Sequence, residues 1–205
     1  MILTSLFAAG RSRETVPIFP LQTVLFPAAR LPLRIFEVRY MDMAKACLKE
    51  GSPFGICLIK EGQEVGTPAV PEAVGCLARI AECDMQELGI LKVLAEGFER
   101  FRIVATEVNR AGLIIGEVEK HPPEADAADA LGLAECAEFL RKVITGIGEQ
   151  RFTQPLRFED ATWVGFRLAE ILPLRNDVKQ KLLEITDPAL RLGVLHRFLR
   201  QQKLT

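Results

Sequence analysis

Three serines, two histidines and five cysteines are the residues from which a nucleophilic site would have to be assembled. None of Ser5, Ser12 or Ser52 lies in a Gly-x-Ser-x-Gly turn, the setting that presents a serine for attack. His121 and His196 fall in different parts of the chain. Cys47, Cys57, Cys76, Cys83 and Cys136 are odd in number, and no two share Cys-x-x-Cys spacing. That spacing gives neither a disulfide framework nor a zinc site. A thiol becomes reactive only in an electropositive, partly exposed setting. These cysteines sit in apolar stretches, so inert, reduced and mostly buried thiols are expected. The phosphate-cradling Gly-x-x-x-x-Gly-Lys-Ser/Thr pattern is absent as well. The residue types therefore predict no catalytic group, no cofactor and no metal ion.

The remaining polar chemistry is ionic. Arg34, Glu37 and Arg39 cluster in sequence, as do Glu96, Glu99, Arg100 and Arg102. They suit either a rim that grips a bound polypeptide or ion pairs that orient the first helix and the strand ends, and the second reading is preferred. Phe26 and Phe36 are expected in the core. An exposed ring at either position would mark a site of apolar peptide contact. Arg191, Arg197, Arg200 and Lys203 make the last helix basic, which complements its dipole. The formal charge of −1 over 205 residues gives no general pull toward nucleic acid or anionic lipid.

The elements that must position these groups begin with an apolar run broken by Pro17, Pro20, Pro27 and Pro32. Proline fixes φ and donates no hydrogen bond, so no helix crosses this run, and a central strand accommodates it poorly. Leu31, Leu33 and Ile35 alternate with Pro32 and Arg34, the period of a half-buried strand. The phase then turns helical through Ala44, Cys47 and Leu48, with Gly51 as the stop. Glu37 falls near the start of that helix, where the dipole favours a carboxylate. Strands are expected over 54–59, 74–83, 90–97, 101–105 and 113–119, with a polar loop from Lys60 to Pro71 and turns at 85–89 and 109–112.

His121 to Asp126, containing Pro122-Pro123, reads as a linker. Helical periodicity follows over 133–147, 159–172 and 178–185, the last capped by Asn176 or Asp177. Asp187-Pro188 opens a final helix, with a capping acceptor followed by proline at the first helical position. The division predicted is a tail over 1–14, a closed or nearly closed β-barrel over 15–122 and a helical part over 123–205. No apolar stretch approaches the roughly 18 residues of a membrane span. Ile2 to Ala9 lacks a basic segment before it and does not read as a signal peptide. With 49% apolar and 26% charged residues, the composition is that of a soluble globular protein.

Several of these stretches carry a resemblance. Phe19-Pro20-Leu21, Val24-Leu25-Phe26-Pro27 and Leu31-Pro32-Leu33-Arg34-Ile35-Phe36-Glu37-Val38-Arg39-Tyr40 resemble the opening of the N-terminal, substrate-binding domain of the ATP-dependent Lon protease. The similarity is greatest to the stand-alone bacterial form of that domain. Val74-Gly75-Cys76-Leu77-Ala78-Arg79-Ile80 is similar to its Val-Gly-x-x-Ala-x-Ile strand, and Leu91 to Phe101 to its Leu-x-Val-x-x-x-Gly-x-x-Arg-Phe signature. Leu172-Pro173-Leu174 and Lys179-Gln180-Lys181-Leu182-Leu183-Glu184 match its helical end.

The resemblance implies an α+β fold: a PUA-like mixed or antiparallel β-barrel with one early helix, followed by a C-terminal α-helical bundle. It implies a non-catalytic module, since the ATPase and Ser-Lys peptidase modules of the protease have no room here. The expected partners are unfolded or partly folded polypeptides or degrons, with a protease or chaperone beside them, in a cytoplasmic monomer or homodimer. Phe26, Arg34, Phe36, Glu37, Arg39, Tyr40, Phe98 and Arg100 are the candidate binding residues. RNA binding, known for other PUA-like barrels, is the alternative. It would require a basic face with exposed aromatics, and the sequence shows no such face.

Overall fold

The structure, a computed structural model, describes residues 13–87 and 89–204. Seven strands come first: β1 (Arg13–Leu21), β2 (Arg30–Ile35), β3 (Phe54–Glu61), β4 (Val70–Pro71), β5 (Val74–Glu87), β6 (Ile90–Val108) and β7 (Ile114–Lys120). Helix α1 (Val38–Glu50) lies between β2 and β3, and α2 (Leu133–Ile147), α3 (Ala161–Ile171), α4 (Asn176–Glu184) and α5 (Pro188–Gln201) complete the chain. The result is a mixed α+β fold whose sheet is mostly antiparallel.

Strand pairings run β1–β7–β6–β5–β3 and return from β3 to β1, so five strands form a closed ring. The β1–β3 contact is parallel, and the other pairs are antiparallel. Strand β1 holds two prolines within this ring, which the sequence argument disfavours. The register explains it. Pro17 lies opposite Ile115 of β7, before pairing to β3 begins at Ile18. Pro20 lies opposite Cys57 of β3, after pairing to β7 has ended at Ile18. Each proline therefore meets one neighbouring strand and leaves its other side out of the ladder.

Other boundaries differ from the periodicity. Arg13 and Glu14 belong to β1 rather than to a tail, and Arg13 pairs with Glu117 and Glu119 at 3.0 Å each. The expected tail over 1–12 lies outside the described residues. The segments 90–97 and 101–105 fuse into one 19-residue strand. Register shifts along β5 and β6, at Leu77/Ala78, Ile80/Glu82 and Asp84/Glu87, let so long a hairpin bend around the ring. Val70–Pro71 pairs with β3 inside the stretch expected to be loop. Asn176 is the first residue of α4 and caps nothing; its side-chain amide donates to the Gln22 carbonyl instead, at 2.6 Å. Two carboxylates cap helices, Asp187 as expected and Asp160 without a signal read from the sequence. Asp160 accepts from the N–H groups of Thr162 and Trp163, and Asp187 from those of Ala189 and Leu190.

The main core runs without a break from the strands into the helices, joining Phe19, Phe26 and Tyr40 to Leu140, Trp163, Phe166 and Leu195. A smaller cluster of Val16, Ile18, Cys57, Leu77, Phe101, Ile114 and Val118 fills the other face of the ring. Two buried arginine sites lock the halves together. Arg100 of β6 donates to the carbonyls of Leu183 and Ile185, at 2.7 and 2.8 Å. Its guanidinium and that of Arg191 on α5 share the carboxylate of Glu124, which also accepts from the Thr162 hydroxyl at 2.8 Å. Burial pushes the Arg100 guanidinium below its ordinary value, and Glu124 opposes that shift. Arg167 of α3 donates to the carbonyls of Pro27 and Ala28, holding the β1–β2 connection against the helices.

Four of the five cysteines are buried and none is paired. Burial pushes the Cys76 and Cys136 thiols up to about 12 and Cys57 higher still. Cys83 alone is exposed. Iodoacetamide at pH 8 is therefore expected to modify one cysteine, Cys83, in the native protein. Peptide mapping checks this, and prompt native labelling of Cys57 or Cys76 would contradict the burial.

Candidate functional site

Strand β2 is short, and its alternation is strict. Leu33 and Ile35 point into the core, while Pro32 and Arg34 are exposed. Among the described residues it pairs only with β6, from Arg30 opposite Glu96 to Ile35 opposite Leu91. A groove of about 300 Å³ lies along it. Every residue from Leu31 to Glu37 lines this groove, joined by Phe19 and Leu21 of β1, Tyr40 of α1, and Thr23, Glu64 and Val65 of the loops. Consecutive strand residues face opposite ways. A hollow touched by all of them therefore lies beside the strand's edge rather than on one face.

The floor is apolar and rigid. Phe19 and Tyr40 stack with centroids 4.1 Å apart, and both are nearly inaccessible. Burial pushes the Tyr40 hydroxyl up from its ordinary value. Part of the rim is apolar too, but open to solvent: Phe36 and Val65 are each 54% exposed. Glu64 accepts a hydrogen bond from the Gln22 main-chain N–H, which ties the loop carrying Val65 to the end of β1. A second hollow adjoins the first. It shares Pro32, Leu33 and Arg34 and extends to Lys92–Leu94 of β6 and Glu82–Asp84 of β5.

Four of the eight residues nominated from the sequence, Arg34, Phe36, Glu37 and Tyr40, come together at this groove. The other four lie elsewhere. Phe26 is fully buried against Phe166, 5.8 Å between centroids, so its ring faces the core and not a ligand. Arg39 is buried. It pairs with Glu37 at 2.9 Å and donates to the Gly112 carbonyl at 2.9 Å, fixing the β6–β7 turn to α1. Phe98 lies half-buried beneath the Arg79 guanidinium, 4.4 Å from its centroid. Arg100 has its donors committed to Glu124, Leu183 and Ile185. The ion-pair reading thus describes Arg39 and Arg100.

Sequence reasoning missed the far wall of the groove. Glu64 and Val65 belong to a polar stretch read as an ordinary loop, and the lone apolar Val65 between Gly62 and Gly66 was its one signal. Among the described residues, no group of three or more His, Cys, Asp or Glu side chains is placed to hold a metal ion. No helix among them is long and apolar enough to cross a membrane.

The groove's geometry offers apolar contact and main-chain hydrogen bonding. The chain matches the crystal structure of a Lon N-terminal domain protein from Xanthomonas campestris, with 36% sequence identity and a TM-score of 0.74. That match covers 89% of this chain and 96% of the other. The N-terminal domain of the Mycobacterium avium complex Lon protease shares the fold, with a TM-score of 0.67 at 21% identity and the same coverage of 89% and 96%. The family model for the ATP-dependent protease La (LON) substrate-binding domain matches residues 15–201. The chain accordingly belongs to the family of LON substrate-binding domains.

Proposed function

We propose that this protein is a non-catalytic polypeptide-binding module that takes unfolded or partly folded segments into the groove beside β2, for quality control or proteolysis. The observation that carries the reading is an apolar floor, Phe19, Leu21 and Tyr40, bordered by solvent-exposed Phe36 and Val65. A soluble protein leaves such a bordered apolar hollow open at a cost that a binding role explains. The five unpaired cysteines support a reducing, cytoplasmic setting. A protease or chaperone that receives the client is the further partner this reading implies.

The test is fluorescence anisotropy with labelled, reduced and carboxymethylated lactalbumin, which stays unfolded. Saturable binding is expected, and single-stranded RNA added in excess is expected not to displace it. Phe36→Ser removes about 60 Å² of contact, roughly 1.5 kcal/mol, so affinity falls about tenfold. Because the ring is half exposed, the unfolding midpoint is expected to stay nearly fixed. Absence of saturation into the high micromolar range would remove the proposal.

A further inference from the structure

We infer that the groove takes its client as an added β-strand seated along the open side of β2, and therefore selects extended segments over helical ones. The inference rests on the reading of the groove as a polypeptide site, and specifies how the chain is held. Three observations carry it. Among the described residues β2 has a ladder neighbour on one side only, β6. Pro32, opposite Leu94, lies within that ladder. A proline is accommodated in a strand where its nitrogen points away from the paired neighbour. The Pro32 carbonyl then faces the open side, and so do the main-chain groups of alternate residues along the strand. The groove follows this side of β2 from Leu31 to Ile35, over the floor of Phe19 and Leu21, with Glu64 and Val65 as its far wall. A chain laid there meets main-chain partners on one side. It also meets apolar surface for every second side chain.

The same edge is poorly suited to a second copy of itself. An antiparallel pairing of two β2 strands centred on Pro32 would set Arg30 of each copy opposite Arg34 of the other. Like charges directly opposed disfavour a pair, and proline and charge on an edge are features that prevent sheet-to-sheet association. A client with small or apolar residues at those positions meets no such barrier. The six residues of β2 span about 20 Å at the usual strand rise, so a client segment of about six residues is engaged.

The experiment is a backbone N-methyl scan. The probe is a fluorescein-labelled ten-residue peptide of alternating leucine and threonine with a lysine at each end, methylated at one main-chain nitrogen at a time. Expected is a tenfold or greater loss of affinity at every second position in the central six residues, with less than twofold change between them. Hydrogen exchange with the unmethylated peptide is expected to slow in residues 31–36 and to be unchanged in α2 to α5. Losses without a two-residue period would overturn strand addition, as would tighter binding of a helix-stapled peptide of the same composition. In either case binding of unfolded lactalbumin would leave the polypeptide site standing. Failure of both the peptide and unfolded lactalbumin to bind would remove both readings. Concentration-dependent dimerisation in sedimentation that protects residues 31–36 would show a second copy to be the occupant, and would also overturn the inference.

Discussion

Glu124→Ala is expected to lower the free energy of unfolding by about 3–5 kcal/mol, the cost of leaving buried charges without their partner. The Glu124 side chain is 7% exposed, and the two guanidinium groups it pairs with are 4% and 0% exposed. Both oxygens are used: one is shared by Arg100 and Arg191, the other accepts from Arg191 and the Thr162 hydroxyl. Alanine there places two like charges beside each other, flanking the Phe166 ring, with no anion between them. Neither arginine is free to swing to water, because Arg100 also donates to the carbonyls of Leu183 in α4 and of Ile185 just after it, and Arg191 to those of Leu182 and Ile185. Urea denaturation followed through the single tryptophan, Trp163, measures the loss. The exposed Glu138–Lys142 pair is the control, and Glu138→Ala is expected to leave the midpoint unchanged. A Glu124→Ala loss below about 1 kcal/mol would mean that the arginines are stabilised chiefly by their carbonyl partners.

Gly97→Ala is expected to cost about 3 kcal/mol, near the upper range for overpacking a close contact. Here the β1–β2 connection crosses β6: the Ala28 N–H donates to the Gly97 carbonyl at 2.7 Å, and the Gly97 N–H donates to the Ala29 carbonyl at 2.9 Å. A methyl group at Gly97 would lie 2.5 Å from the Phe26 carbonyl oxygen and 3.0 Å from the Cys76 sulfur. The first of these is main chain, fixed further by Arg167 on Pro27 and Ala28, so it has nowhere to retreat. The comparison is Gly146→Ala in α2, where a methyl meets nothing within 4 Å. Alanine there favours the helix and is expected to raise stability by about 0.5–1 kcal/mol. Equal effects at the two sites in thermal unfolding would show that space at the crossing is not the constraint.

How far the sequence disclosed this structure depended on whether the signal was local. Asp187-Pro188 marks a helix start by chemistry confined to two residues, and α5 begins there. The alternation Leu31, Leu33, Ile35 is local as well, and β2 has those bounds within a residue. Pro17 and Pro20 speak against an inner strand for the same local reason. What admits them is a change of partner at Ile18, set by β3 and β7, which lie far along the chain. Gly97 stood last in the strand expected over 90–97, whereas it lies inside β6 at the place where another segment passes over. Phe26 and Phe36 look alike in the sequence. Phe166, 140 residues beyond Phe26, decides that the first is core, while among the described residues no ring stacks on the second, which is 54% exposed. The groove was legible from its β2 side, where the motif is dense, and not from the Glu64–Val65 side, where no periodicity exists to read.

Strand β1 is joined to β7 along Arg13 to Ile18, with partners at Ile114 to Glu119. During synthesis β1 therefore waits for about a hundred further residues before that flank is satisfied. At roughly 5–20 residues per second the interval is on the order of 5–20 s. Throughout it, Val16 and Ile18 are translated, greasy and without Gly116 and Ile114, their partners across β7. A protein of a family that binds the substrates of a protease is thus, while it is being made, a nascent chain in need of protection itself.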